Sequence, residues 1–223
     1  MQHSNVLLYP HRVAPVSAAG FGDALYGLFN RAAALGLLML FAPLFLFIAW
    51  RIARDDGTPV FFGHYRVGRN GELFRCLKFR TMAVDAENVL RRLLEEDARA
   101  RAEWERDHKL HDDPRITRFG RFLRRTSLDE LPQLFNVLRG EMNLVGPRPV
   151  VVKELRRYGH AKFHYLSVRP GMTGLWQVSG RNRTSYEDRV RLDRRYVEQQ
   201  SIWLDCVILA RTIPVVFFKH DGV

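Results

Sequence analysis

Cysteine is nearly missing from this 223-residue chain: Cys76 and Cys206 are the only two, far apart and with no CxxC spacing. That excludes a disulfide scaffold and a cysteine-based zinc site, and it suits a reducing compartment. The eight histidines form no HExxH motif, which argues against a zinc enzyme of that kind. There is no Walker-type glycine loop, no GxSxG elbow, no internal repeat and no low-complexity tract. Acidic residues are also short, 24 against 35 lysines and arginines, for a net charge of +11. A chain this basic seeks an anionic partner: nucleic acid, acidic lipid or a phosphorylated substrate. Its length suits one sizeable domain rather than two.

One segment sets the chain apart from a soluble basic protein. Ala32 to Trp50 reads AAALGLLMLFAPLFLFIAW, nineteen residues without a charge between Arg31 and Arg51. As a helix it reaches ~28 Å, close to the thickness of a bilayer core. It begins too far into the chain, and lacks a convincing small-residue cleavage site, for a secretory signal. Pro43 removes a backbone donor and crowds the carbonyl of Met39, so a kink or break is expected there. A kinked single span and a re-entrant helix–break–helix are both open, because arginine flanks both ends.

The remaining chain reads as follows. Residues 1–22 form a loose tail. Val60–Val67 and Glu72–Phe79 are rich in β-branched and aromatic residues around Asn70-Gly71, which predicts a β-hairpin ending in Lys78-Phe79-Arg80. Residues 84–110 read as one long charged helix with a narrow apolar stripe, a solvated face without a functional role. Arginines 115, 118, 121 and 125 fall at helical spacing without acidic partners, a basic amphipathic helix for a phosphate-rich surface. GEMNLVGPRPV and SVRPGMTGLWQVSGRN read as glycine- and proline-rich loops that position functional residues. Thr184–Gln200 is helical. Ile202–Phe218, interrupted by Asp205, Arg211 and Pro214, is a poor spanning helix that either packs in the core or lies in the membrane interface. Trp203 and Phe217-Phe218-Lys219 favour the interface.

The chemistry concentrates at TSLDELPQ (126–133), where the run RITRFGRFLRR, with five arginines, meets Asp129-Glu130. One reading is a capping box, Ser127 as N-cap with Glu130 reaching back. Pro132 argues for a second register, since proline prefers the first helical position; the carboxylates then lie in the turn before the helix. In either register a positive helix end and nearby guanidinium groups keep a carboxylate ionised, fit to act as nucleophile or metal ligand. One of the pair can attack phosphorus while the other binds Mg²⁺, a hard cation that prefers oxygen ligands. A glycosidase needs carboxylates facing each other ~5 Å or more apart, which sequence neighbours rarely supply.

KFRTM (78–82), TSLDELPQLFNVLRGEMNLVGPRP (126–149) and RPGMTGLWQVSGRN (169–182) resemble the bacterial sugar transferases. These are monotopic phosphoglycosyl transferases that start glycan assembly on polyprenyl phosphate. The likeness runs from about Gly27 to Phe218. It implies an α+β fold: a small membrane-associated catalytic domain (55–223) behind a tail (1–26) and a re-entrant or spanning hydrophobic helix (27–54), with interfacial amphipathic helices. It implies transfer of a sugar-1-phosphate from a UDP-sugar to undecaprenyl phosphate, releasing UMP through an aspartyl phospho-sugar on Asp129, with Glu130 helping to hold Mg²⁺. Lys78, Arg80 and Arg124 match phosphate-binding positions, as do Pro147, Arg148 and Pro149; Gln177 and Arg181 match the uridine side, packing being the alternative role for each. Pro43 matches the family's membrane break and places the domain on the cytoplasmic face of the bacterial inner membrane. Ala42, where the family often has Ser, and Asn30-Arg31-Ala32-Ala33-Ala34, where it often has Lys-Arg and an Asp, depart from the pattern. Larger relatives carry further spans ahead of this domain, and none is expected here. Membrane lipids are implied partners, nucleic acid is not, and homo-oligomerisation is left open. The rivals are a membrane-tethered basic protein that binds nucleic acid or acidic lipid, and a catalytically dead scaffold.

Overall fold

The computed structural model describes residues 21–107, 110–180 and 184–218. The predicted tail therefore lies outside the described residues except for its last two positions, which already belong to the first helix, α1 (Phe21–Asp56). Of the kink or break expected at Pro43, the break does not form, since the helix runs continuously through that residue. Pro43 is flanked by Leu, Met, Phe and Ala, good helix formers, and an apolar helix tolerates the loss of one N–H.

The α1 helix is attached to the rest of the protein near both ends. Toward its start, Asn30 is buried; its Nδ2 donates to the Tyr26 carbonyl (2.9 Å), and its Oδ1 accepts the Leu144 N–H (2.8 Å). Ala34 packs with Leu134, Val137, Met142 and Leu144 in the largest core cluster. Toward its end, Ile48 and Ile52 pack with Phe79 and Leu123. Between these anchors Met39, Leu40, Leu46, Phe47 and Trp50 stay exposed, an apolar face too large for a helix bathed in water.

The hairpin forms as its sequence dictates: β1 (Phe61–Val67) pairs antiparallel with β2 (Leu73–Phe79), with Val67 opposite Leu73 and Phe61 opposite Phe79. Asn70 (φ 58°) and Gly71 (φ 83°) take the left-handed conformations that Asn and Gly tolerate best. The predicted long charged helix is two: α2 (Ala86–Glu96) and α3 (Ala98–Asp107). Asp97 is extended between them, and its Oδ1 accepts the N–H groups of Arg99 (2.7 Å) and Ala100 (3.1 Å), capping α3.

The next helix, α4 (Arg118–Arg125), is capped by the Thr117 hydroxyl, which accepts the Gly120 N–H (2.9 Å). Gly120 is required there, since a Cβ would lie 2.1 Å from the Thr81 carbonyl oxygen. Then come α5 (Gln133–Arg139), β3 (Asn143–Val145), α6 (Val152–Leu155), α7 (Lys162–Ser167), β4 (Gly171–Thr173), α8 (Leu175–Ser179), α9 (Tyr186–Gln199) and α10 (Ile202–Phe218). The second-half loops are more ordered than their composition suggests. β3 and β4 pair in parallel, and α8 forms within the second motif.

The last helix accounts for its own odd residues. In α10, Ile208 is fully buried and Thr212 Oγ1 bonds Thr173 Oγ1 (2.8 Å), while Ile202, Trp203 and Ile213 are exposed. One face thus joins the core and the other is free for an interface; Lys219 lies outside the described residues. Asp205 is acceptable in this apolar helix because Tyr196 (2.8 Å) and Tyr26 both donate hydroxyl hydrogen bonds to it.

Candidate active site

The Asp129–Glu130 pair sits in a 3₁₀ turn, Leu128–Glu130, just ahead of α5, whose N-cap is Pro132. This is the second of the two registers. Ser127 is left-handed (φ 56°), and its side chain makes no capping bond, so the capping box does not form. A non-glycine residue held there costs about 1 kcal/mol or more, typical of a turn kept for its position.

Strand β2 supplies the cation. Lys78 Nζ lies 2.7 Å from Glu130 Oε1 and 3.4 Å from Asp129 Oδ2, bridging the two carboxylates. One residue on, Phe79 is buried against α1, fixing the strand. Arg80 turns away from the pair: Nη2 donates to the carbonyls of Asp56 (3.0 Å) and Gly57 (2.7 Å), clamping the end of α1. Its Nη1 is buried with no hydrogen-bond partner among the described residues. Arg124 is oriented by a bond from its Nε to Thr81 Oγ1 (2.8 Å).

Lys78, Arg80, Arg124, Asp129 and Glu130 all line one cleft of about 750 Å³. Its other lining residues include Phe62, Thr81, Arg115, Ser127 and the first turn of α2. Thr81 was legible in the KFRTM motif; the α2 residues carried no sequence signal because their helix looked uniformly solvated.

The electrostatics differ in one respect from the sequence reading. Burial pushes the Asp129 carboxyl above the ordinary carboxylate range, and the neighbouring Glu130 adds to this; Lys78 and Arg124 oppose it without cancelling it. Burial also acts to lower Lys78, but the Glu130 and Asp129 carboxylates outweigh it and hold the ammonium above the usual lysine range. The arginine run is also less unpaired than it looks. Arg115 Nη2 lies 2.6 Å from Asp113 Oδ2, with its guanidinium over Trp104, and Arg121 pairs with Asp112 (3.3 Å). Two aspartates lying just upstream of the arginines supply these partners.

The other predicted residues form a second assembly. The Gly171 N–H donates to the Pro147 carbonyl (2.9 Å) and the Gly146 N–H to the Thr173 carbonyl (2.9 Å), lacing the two motif loops together. A Cβ on Gly171 would lie 2.0 Å from the Gly146 nitrogen, so this approach demands glycine. Pro147 is buried; Arg148 is exposed, with its guanidinium 5.7 Å from the Trp176 ring. Gln177 Nε2 donates to the Met172 carbonyl (3.2 Å), and its Oε1 is buried without a partner among the described residues. Pro147, Arg148, Pro149 and Gln177 do not line the cleft, although the charge of Arg148 is felt at Lys78. Arg181 lies outside the described residues.

Asp193 of α9 carries no signal in the sequence, where Thr184–Gln200 reads simply as a helix. It is buried; Tyr158 donates to its Oδ2 (2.8 Å), and the Arg148 backbone N–H lies beside the same carboxylate. Burial pushes its carboxyl up to about 7, against the hydrogen bond from Tyr158 and the charge of Arg148. The folded state therefore holds this proton more tightly than the unfolded chain does. The stabilisation is complete below about pH 4 and is lost as pH rises through 7, at about 1.4 kcal/mol per pH unit. Between pH 5.5 and 7.5 the thermal midpoint of the wild type should fall by about 4 °C more than that of Asp193→Asn. Parallel pH dependence in the two proteins would contradict this.

Asp129 and Glu130 supply two hard oxygen donors. Among the described residues no group of three or more His, Cys, Asp or Glu gathers as a metal site. His160 and His164, four apart in sequence, are divided between a 3₁₀ turn and α7, and His164 lies beside Glu198 (3.5 Å). Two carboxylates suit Mg²⁺, which binds one or two such groups and completes its shell with water and substrate phosphate.

Residues 22–219 match the family described as bacterial sugar transferase. The chain belongs to the bacterial sugar transferase family. It is 54% identical over 194 residues to the UDP-galactose-lipid carrier transferase of Erwinia amylovora, covering 87% of this chain and 40% of the relative. It is 52% identical to the undecaprenyl-phosphate galactose phosphotransferase of Salmonella typhimurium, again covering 87% and 40%. The exopolysaccharide production protein ExoY of Rhizobium meliloti is 51% identical, covering 87% of this chain and 86% of the relative. This sugar transferase chain thus spans about two fifths of the first two relatives' length and most of the third.

Proposed function

We propose that this protein transfers a sugar-1-phosphate from a UDP-sugar to a polyprenyl phosphate, undecaprenyl phosphate in the relatives' names, at a membrane surface. The observation that carries this reading is the buried Asp129 carboxylate, bridged to Glu130 by Lys78 inside a cleft also lined by Arg80, Arg115 and Arg124. A cationic cleft holds phosphate, and a positioned carboxylate inside it can attack phosphorus. Asp129 Oδ attacks the β-phosphorus, the bond to the bridging oxygen breaks, and UMP leaves with that oxygen. A lipid phosphate oxygen then attacks the same phosphorus and Asp129 departs as carboxylate, leaving a polyprenyl diphosphate sugar.

Lys78 and Arg124 neutralise charge on the phosphoryl oxygens, and Arg80 holds the end of α1 against the cleft. Asp129 and Glu130 would hold Mg²⁺, which supplies Lewis-acid stabilisation of the phosphates. The raised carboxyl of Asp129 is consistent with a nucleophile that becomes fully ionised when the cleft fills with cations.

The setting is a membrane surface. The anchors Asn30 and Ile52 hold α1 to the catalytic domain over ~33 Å. Its exposed apolar face, with Phe122 between Arg118, Arg121 and Arg125 on α4, suits a domain seated in one leaflet. UDP-sugars place that leaflet on the cytoplasmic side of the inner membrane. The test is UMP release by the detergent-purified protein. Release requiring a UDP-sugar, polyprenyl phosphate and Mg²⁺ is expected. No release with any donor, together with salt-sensitive binding of duplex DNA, would favour the non-catalytic binding protein.

A further inference from the structure

The lining of the cleft has two chemistries. Around the dyad it is cationic, with Lys78, Arg115 and Arg124. The first turn of α2 instead contributes Asp85, Glu87 and Asn88, two carboxylates and an amide, alongside Val84 and Ala86. Carboxylates repel a diphosphate, so this part of the cleft is the wrong surface for the phosphates of the donor. It is a good one for hydroxyl groups, which a carboxylate or amide oxygen accepts as hydrogen-bond donors.

Three further observations point the same way. Asp85 occupies the N-cap position of α2 yet makes no capping bond. Its Oδ1 instead accepts from Asn88 Nδ2, and Asn88 Oδ1 in turn accepts from Arg91 Nη2 (2.7 Å), so Asp85 is held in place by its neighbours on the helix. The turn is also fixed to the membrane helix, because the Val84 N–H donates to Asp56 Oδ2 (2.9 Å), the same aspartate whose backbone Arg80 clamps. Finally, Arg80, only 9% exposed, lines this cleft and holds its guanidinium on the Asp56 and Gly57 carbonyls, so the wall stands on a fixed support. Phe62, half exposed and lining the same cleft, offers a ring on which the C–H face of a pyranose can rest.

We propose that the first turn of α2 is the sugar-recognition wall of the site: Asp85 and Glu87 accept hydroxyl hydrogen bonds from the donor's hexose, with Asn88 fixing Asp85. This rests on the UDP-sugar reading above and assigns the discrimination between sugars to residues distant in sequence from the dyad.

The experiment measures kcat/KM for UMP release with UDP-galactose, UDP-glucose and UDP-N-acetylglucosamine, for wild type, Asp85→Ala, Asp85→Asn and Glu87→Gln. Product inhibition by UMP and the thermal midpoint are measured on the same proteins. For Asp85→Ala we expect a 10- to 100-fold loss with the best donor and collapse of the ratio between the two C4 epimers, with UMP inhibition within about twofold. Asp85→Asn, which keeps an acceptor, should fall in between. Because Asp85 caps nothing, the fold should be unaffected. Unchanged ratios between donors in all three variants would overturn the proposal while leaving the transferase reading intact. So would losses equal for every donor and accompanied by weaker UMP inhibition. A wild type that releases no UMP from any donor would overturn both.

Discussion

Asp129→Asn should lower UMP release by about 10³-fold or more while leaving the protein as stable as the wild type or slightly more so. The amide keeps the shape of the side chain but is a far poorer nucleophile toward phosphorus. The stability expectation follows from burial: the carboxyl is pushed above its ordinary range, so the folded protein carries a desolvation cost that an amide relieves. Lys78 retains Glu130 as its closer partner at 2.7 Å, so the substitution does not strand a buried ammonium. A large loss of activity with an unaltered thermal midpoint separates a catalytic role from a structural one. Activity within tenfold of wild type would remove Asp129 from the chemistry.

Lys78→Met should cost about 10²- to 10³-fold in kcat/KM near neutral pH, the scale on which a single preorganised charge partner acts. It should also change the pH profile. Lys78 is the leading influence lowering Asp129 against burial; without it the carboxyl rises further, because only Arg124 is left to oppose burial and the charge of Glu130. The acid limb of the UMP-release profile, below which Asp129 is protonated, should therefore move to higher pH, and part of the activity should return as pH is raised. Lys78→Arg, which keeps the charge, should restore the position of the limb more fully than the rate, since a planar guanidinium cannot sit between the carboxylates as an ammonium does. A Lys78→Met profile displaced only downward, with the limb in place, would show that the lysine binds substrate without tuning the carboxyl.

Local elements were legible where side-chain chemistry acts on near neighbours. Segments rich in aromatic and β-branched residues around Asn70-Gly71 specify a hairpin, and the observed strands differ from the expected ones by a residue at their starts. Pro132 correctly favoured a turn over a capping box at Asp129-Glu130, because proline has no N–H to give in a helix interior. Asp97 was harder: inside a run of charged helix formers it looks like one more solvated residue, and only the bonds it makes reveal a cap. What the sequence could not disclose is the meeting of distant segments. The loops at Gly146 and Gly171 fit only because both lack a side chain, and Asn30 enters the core to satisfy the Leu144 amide. The same holds for the site. The dyad and KFRTM motifs were readable as chemistry, but that Lys78 bridges the dyad while Arg80 turns to the end of α1 is set by strand pleat and packing.

The covalent step is the centre of this account, and intact-protein mass tests it most directly. The purified protein would be incubated with Mg²⁺ and a UDP-sugar, UDP-galactose first, without any polyprenyl phosphate. The account predicts a mass increase of one phospho-sugar on the wild type, mapped to Asp129 and absent from Asp129→Asn, with UMP released in equal amount. An unmodified wild type that nevertheless releases UMP once polyprenyl phosphate is added would contradict it, and would mean direct transfer from donor to lipid.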